Sequence, residues 1–209
     1  MDRLAMTLPA VGMCALLFCG SCTWFKRCAY EGFGRDRWQQ PDRVITTLAI
    51  HAGDQVADLG SGGGYFTFRL AQAVGPSGRV YAVDVDEGLN AYVAERARDL
   101  ALGNVAVILA KYDDPLLPEA SIDLLFTSNT YHHLDNRTAY FRNVRRYLRP
   151  GGRVAIIEHA GKGWFDSWFG HYTASETIRD EMQAAGYQLQ QQPDFLPRQH
   201  FLVFAAAAQ

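Results

Sequence analysis

The chain has 209 residues, 48% of them hydrophobic and 20% charged, with 20 basic against 22 acidic side chains. That balance excludes a long disordered chain, and a formal charge of -2 removes the main electrostatic reason to expect a nucleic-acid binder. All four cysteines (Cys14, Cys19, Cys22 and Cys28) lie at the N-terminal end, so a disulfide framework, a cysteine-ligated metal and a cysteine nucleophile are excluded from everything after them.

The first element is the uncharged stretch 4–25, preceded by Arg3 and followed by Lys26 and Arg27. Its apolar part has the character of a secretory h-region, and Gly20-Ser21-Cys22 resembles a lipoprotein lipobox that would make Cys22 the lipidated first residue. Two other readings stand beside it. At roughly 1.5 Å per residue the stretch just crosses a hydrocarbon core of about 30 Å, so it also fits a retained anchor. Lys26, Arg27, Arg35 and Arg37 would then favour a cytoplasmic body. The plain alternative is a buried N-terminal helix of a soluble protein, or a misassigned start. Membrane association through residues 1–25 is the expectation, with the side of the membrane left open.

The body, residues 26–209, opens with an Arg- and aromatic-rich segment, Tyr30–Pro41, expected to fold over the edge of a ligand site. A helix follows from Pro41 to about Ile50, then a strand over Gln55–Leu59, a glycine-rich turn and a helix over Phe66–Val74. Val80–Val83 is the second strand, and a helix spans about Glu87–Leu100, stopped by Gly103-Asn104. Val105–Leu109 and Ile122–Thr127 read as two further buried strands. A helix over Asn136–Leu148 should end at Pro150-Gly151-Gly152, before a strand over Arg153–Ile157. A helix over Ala174–Ala185 and strands over Tyr187–Gln191 and Phe201–Ala205 complete the pattern. Such alternation with short connections predicts one domain, an open α/β sheet covered on both faces.

The strongest chemical signal is Val56-Ala57-Asp58-Leu59-Gly60-Ser61-Gly62-Gly63-Gly64-Tyr65-Phe66. It joins the first strand to its helix, at the carboxyl edge where open α/β sheets bind ligands. Glycines let the backbone approach a ligand closely, and a helix N-terminus offers unpaired N–H groups. A dinucleotide fingerprint, G-x-G-x-x-G, would need glycine where Tyr65 stands. Asp58 is foreign to it as well, and an acid there can pair with a cationic amino group, which NAD lacks.

With Asp58 the loop reads D-x-G-x-G-x-G, and from about Trp38 onward the chain resembles the class I S-adenosylmethionine-dependent methyltransferases. The resemblance implies a Rossmann-like, seven-stranded, mostly parallel sheet with helices on both faces. It implies S-adenosyl-L-methionine as cofactor, with Asp58, Gly60, Ser61, Gly62 and Gly64 around its methionine part. Asp84, at the end of the second strand, would take both ribose hydroxyls and Val85 would contact the adenine; the bland reading of Asp84 is a cap on the following helix. After the third strand, Lys111 stands where relatives often carry aspartate, so the adenine contact is expected from Tyr112 and Asp113 or Asp114.

Methyl transfer holds donor and acceptor in line, and needs a base only where the acceptor loses a proton. Acceptor-side groups should follow the fourth strand, where His132 and His133 are the best base candidates and Tyr131 stands beside them. The competing reading is that one of these rings packs or caps the next helix. Trp164, Phe165, Trp168, Phe169, His171 and Tyr172 suggest a pocket wall or lid, core packing, or a membrane-facing surface. Tyr131, Trp164, His171 and Tyr172 are the expected substrate-pocket residues.

Absences narrow the acceptor. There is no Asn/Asp-Pro-Pro-aromatic after the fourth strand, which disfavours amino methylation of bases, and no acid ends that strand, which disfavours metal-dependent catechol-type chemistry. No metal site is expected; a small organic acceptor is the default, with a protein or lipid acceptor as the alternative. A tethered cofactor-binding protein without catalysis is the second reading, and a nicotinamide oxidoreductase the third.

Overall fold

The computed structural model describes residues 34–161 and 172–207. Seven strands form one sheet: β1 (Gln55–Leu59), β2 (Arg79–Asp84), β3 (Val105–Leu109), β4 (Ile122–Ser128), β5 (Leu148–His159), β6 (Tyr187–Gln191) and β7 (Gln199–Ala206). Their order is β3-β2-β1-β4-β5-β7-β6, parallel except for β7, which runs antiparallel between β5 and β6. The helices are α1 (Arg35–Gln39), α2 (Pro41–Thr47), α3 (Thr67–Val74), α4 (Glu87–Asp99), α5 (Arg137–Val144) and α6 (Ser175–Ala184).

The sheet is central because its middle strands are apolar on both sides, as burial under helices on two faces requires. Four of the five β1 residues are buried, Asp58 among them. In α3, Thr67, Leu70, Ala71 and Val74 recur at helical spacing and form the buried stripe. They join Val44 and Leu48 of α2 against one face of the sheet, while Tyr140, Phe141, Ile178 and Met182 of α5 and α6 cover the other. The predicted α/β architecture is thus found, with seven strands in a mostly parallel sheet.

Three local expectations are corrected. β3 is an edge strand and is only partly buried, with Leu109 52% exposed, because β2 covers one side and nothing in the sheet pairs the other. The helix expected over Asn136–Leu148 stops at Val144 and passes through a 3₁₀ turn at Arg145–Tyr147. Pro150-Gly151-Gly152 lies inside β5 as a bulge: Leu148 pairs with Ile122 and Arg153 already with Leu124. Gly152 is required there, since a Cβ would sit 2.9 Å from the carbonyl oxygens of Arg149 and Ile122.

Sheet order reverses direction between β1 and β4. Loops leaving their carboxyl ends diverge at that point, and the crevice so formed is where open α/β sheets place ligands.

Candidate functional site

A cavity of about 720 Å³ opens at this switch point, walled by α1, by the loops after β1, β2, β3 and β4, and by His159 at the end of β5. Its floor is the β1–α3 loop. The N–H groups of Gly60 and Ser61 both donate to the carbonyl of Val83, at 2.8 and 3.1 Å, which ties the loop to the end of β2. Gly60 adopts φ +72°, and a Cβ there would lie 2.1 Å from Thr130 Oγ1, so the β1 and β4 loops touch through a position that only glycine fills. Ser61 Oγ is buried on this wall and has no hydrogen-bond partner among the described residues.

Asp84 ends β2 beside that loop. Its Oδ2 accepts from Gly62 N–H at 2.9 Å and its Oδ1 from Asp86 N–H at 3.0 Å. The carboxylate is thus aimed by backbone rather than by helix capping; the cap of α4 is Asp86, whose side chain accepts from Leu89 N–H at 3.0 Å. Val85 follows on the cavity wall, 41% exposed.

Asp58 lies deeper, almost fully buried, accepting from Thr67 Oγ1 at 2.6 Å. Burial pushes its carboxyl up to about 7 and the neighbouring Asp84 adds to this, while Thr67 and Arg35 act against it. The free site therefore holds a carboxyl poised to ionise when a cation arrives.

At the other end Ala110, Lys111 and Tyr112 line the cavity, with Tyr112 80% exposed. Asp113 lies off the described wall. Asp114 is occupied structurally: it accepts from Tyr147 Oη at 2.5 Å, Arg146 at 2.7 Å and Leu116 N–H at 2.9 Å. The backbones of Lys111 and Asp114 are joined by a short bridge, and neither Asp113 nor Asp114 is on the cavity wall.

The β4 side supplies Ser128, Asn129, Thr130, His133 and Leu134, facing Trp38 of α1 and His159 of β5. Asn129 sits at φ +56°, with its Oδ1 accepting from Gln199 Nε2 at 2.8 Å. His133 is on the wall as expected. His132 is one layer behind: its Nδ1 is 2.9 Å from Oε1 of the buried Glu158, and its N–H donates to Glu158 Oε2 at 3.1 Å. Two contacts to one carboxylate fix the orientation of the His132 ring against Glu158.

Tyr131 is not a pocket residue. It is fully buried in the core, stacked on Phe141 at 5.5 Å between centroids, with its hydroxyl donating to Glu181 at 2.7 Å. Tyr172 packs beside Gly161 and is absent from the described wall. Trp164 and His171 lie outside the described residues, as does the stretch 4–25 with Cys22. Asn129 and His159, from the two stretches expected to supply acceptor-side groups, are on the wall, as are Arg35 and Trp38, which sequence reasoning did not single out. Arg35 and Trp38 belong to the segment expected to cover the site edge, but nothing local marked them over their aromatic and basic neighbours. Among the described residues no group of three or more His, Cys, Asp or Glu is arranged to hold a metal, and no helix is long and apolar enough to cross a membrane.

Residues 50–196 match the family model described as "Methyltransferase domain". A ubiquinone/menaquinone biosynthesis C-methyltransferase UbiE from Pasteurella multocida (strain Pm70) is 30% identical over 116 residues, covering 55% of this chain and 43% of that protein. Nocamycin O-methyltransferase from Saccharothrix syringae is 31% identical over 114 residues, 54% of this chain and 41% of that one. The chain thus spans less than half the length of these curated relatives. The crystal structure of a SAM-dependent methyltransferase from Aquifex aeolicus superposes with a TM-score of 0.82 at 22% identity, covering 88% of this chain and 98% of that one, which is a likeness of fold.

Proposed function

We propose, from the premise that this chain belongs to the methyltransferase-domain family, that it transfers a methyl group from S-adenosylmethionine to a small organic acceptor. The observation that carries this reading is Asp84, a carboxylate fixed by two backbone N–H groups at the mouth of a glycine loop. The residues fit the donor. Asp84 is placed to accept from ribose hydroxyls, and Val85 and Tyr112 offer apolar surface to the adenine. The buried Ser61 hydroxyl gains a partner, Gly60, Gly62 and the adjoining Gly63 keep the backbone close while the expected Gly64 lies off this wall against Phe68, and Asp58 faces the amino group.

When bound, the donor supplies a methyl group activated on a sulfonium. What this chain contributes is orientation and, where the acceptor atom carries a proton, a place for that proton. His133 stands on the wall and His132 is held by Glu158 directly behind it. His133, the one of the two on the wall, is the group we propose as the base, with His132 positioned behind it. Trp38, Leu134, Tyr140 and His159 complete a largely aromatic acceptor end suited to a compact organic molecule. Of the two relatives, one is named a C- and one an O-methyltransferase, which supports a small-molecule acceptor and leaves its reacting atom open.

Donor binding is expected to depend on pH through Asp58. In the free protein this carboxyl titrates at about 7, and an ammonium partner favours its ionised form. Affinity should therefore fall as pH drops below 7, and binding at pH 6.5 should release a proton. Calorimetry in buffers of different ionisation enthalpy reads this directly; buffer-independent heats at pH 6.5 would refute it. The same shift gives a stability prediction. A carboxyl whose folded value lies above its unfolded one makes the native state less stable as pH rises from about 4 through 7. Asp58→Asn should thus raise the unliganded melting temperature at pH 8, leave it nearly unchanged at pH 4, and still weaken donor binding.

The direct test of function is label transfer from methyl-labelled donor into small-molecule fractions of a cell extract. Donor binding with no transfer to any fraction would favour a tethered binding protein, and NAD binding without donor binding an oxidoreductase. The charge-free stretch 4–25 supports attachment of this domain to a membrane, by lipid on Cys22 or as a retained anchor. Fractionation, with mass spectrometry of the N-terminus and protease treatment of spheroplasts, separates these and assigns the side.

A further inference from the structure

Among the described residues the sheet has two open edges, β3 and β6. β6 is rich in glutamine, and its pairing slips between Leu189 and Gln191, an irregularity of the kind that blunts an edge against further pairing. β3 carries no such device. Val105-Ala106-Val107-Ile108-Leu109 holds no charge, proline or glycine, and Leu109 is 52% exposed.

The direction of each backbone group on β3 is set by its pairing with β2. Val80 N–H donates to the Asn104 carbonyl and Ala110 N–H to the Asp84 carbonyl, both at 2.9 Å. Backbone groups alternate sides along a strand, so Ala106 and Ile108 turn theirs toward β2 while Val105, Val107 and Leu109 turn theirs outward. Val105 N–H folds back onto the Leu102 carbonyl at 3.3 Å. The Val105 carbonyl and both groups of Val107 and Leu109 are directed at the open edge.

That outward row is complementary to itself. A two-fold axis through Val107 sets Val107 against its own copy and Leu109 against the partner's Val105. These are the closely spaced pairs of an antiparallel ladder, in which facing residues exchange bonds. The flanks agree with this register. β3 leads into Lys111, Tyr112 and Asp113, and it follows the end of α4 with Arg98, Asp99 and Leu100, all six exposed. An antiparallel copy brings each of these flanks to the other. Tyr112, 80% exposed, then meets Leu100, 42% exposed, and Asp113 and Lys111 meet the opposite charges of Arg98 and Asp99.

We propose that β3 pairs with β3 of a second copy of this chain, joining two seven-stranded sheets into one across a two-fold axis. Tyr112 also lines the cavity, so the interface abuts the site at its β3 end.

The test follows full-length protein in detergent micelles by analytical ultracentrifugation over a concentration series, after a melting scan of each variant. Wild type should dimerise reversibly. Leu109→Lys places charge on the edge, and Val107→Pro removes an N–H that makes no bond to β2. Each should raise the dimer Kd by about tenfold or more with the fold retained, because every loss counts twice across the axis. Where Val107→Pro melts early, Leu109→Lys alone decides. Asp113→Arg and Arg98→Asp should each raise Kd by roughly 3- to 10-fold, and the double variant should return to within about threefold of wild type. Hydrogen exchange reads the strand itself, where protection of the Val107 and Leu109 amides should rise with protein concentration. A monomer across the whole series overturns the proposal. So does a dimer indifferent to both edge variants, which assigns association to another surface such as the stretch 4–25. Edge amides protected equally at every concentration overturn it too, since the chain's own residues then cover the edge. A double charge variant as weak as the single ones refutes the register centred on Val107.

Discussion

Asp84→Ala is expected to weaken binding of S-adenosylmethionine and of its demethylated product by roughly 100- to 10,000-fold, with the protein still folded. The magnitude follows from the two charge-assisted hydrogen bonds that the carboxylate is proposed to make to the ribose, each contributing about 1.5–3 kcal/mol. A further part comes from the loop. Gly62 N–H and Asp86 N–H both donate to this side chain, so its removal leaves the glycine loop and the start of α4 without their common acceptor. Asp84→Asn divides the two contributions: it keeps the volume and one acceptor oxygen, but sets an NH₂ group against one of the two N–H donors. Its loss should be smaller than that of alanine and should be accompanied by a lower melting temperature. Calorimetry with the product, which undergoes no turnover, measures both variants. Wild-type affinity in a folded Asp84→Ala protein would remove Asp84 from the donor site and, with it, the main support for the functional reading.

What could be read from the sequence follows a physical divide between local and distant contacts. Asp58, the glycines and Asp84 were legible because strand, turn and helix signals within about 30 residues suffice to bring them to one sheet edge. Ile122–Thr127, Tyr187–Gln191 and Phe201–Ala205 were legible as strands from short β-rich runs bounded by turns. The misreadings concern partners far along the chain. Tyr131 stands beside two histidines and reads as a pocket aromatic, yet its hydroxyl is claimed by Glu181, 50 residues on and itself paired with Arg137 at 2.7 Å. His132 and Glu158 are 26 residues apart and meet only because β4 and β5 are neighbours. Arg35 and Trp38 reach the cavity through Tyr65, Asp36 and Arg69, a set of contacts that no periodicity encodes. Asp113 and Asp114 were indistinguishable as acids after a strand; Tyr147 and Arg146, from the 3₁₀ turn, tie up Asp114, and neither acid is on the cavity wall. Pro150 was read as the helix terminator, but the helix already stops at Val144, and Pro150 lies within β5 because Leu148 pairs with Ile122 across a bulge.

Gly60→Ala carries the other large effect, and here geometry alone sets it. A Cβ at this position would lie 2.1 Å from Thr130 Oγ1, 2.4 Å from its Cγ2 and 2.7 Å from its Cβ. No rotamer of Thr130 relieves the last of these, so either the β4 loop or the glycine loop must move. The backbone at φ +72° adds about 1–2 kcal/mol of strain for any L-residue with a side chain. With overpacking at about 1–3 kcal/mol, the variant should lose roughly 2–5 kcal/mol of stability in a urea titration. Donor binding should be lost as well, because Gly60 and Ser61 N–H are held to Val83 and any displacement carries Ser61 and Gly62 with it. A second substitution separates collision from strain. Thr130→Gly removes all three clashing atoms, so Gly60→Ala/Thr130→Gly should recover the steric part relative to the sum of the single variants and retain the backbone part. A Gly60→Ala protein with wild-type stability and donor affinity would mean that the two loops are not in contact at this point, and that the floor of the cavity is built otherwise.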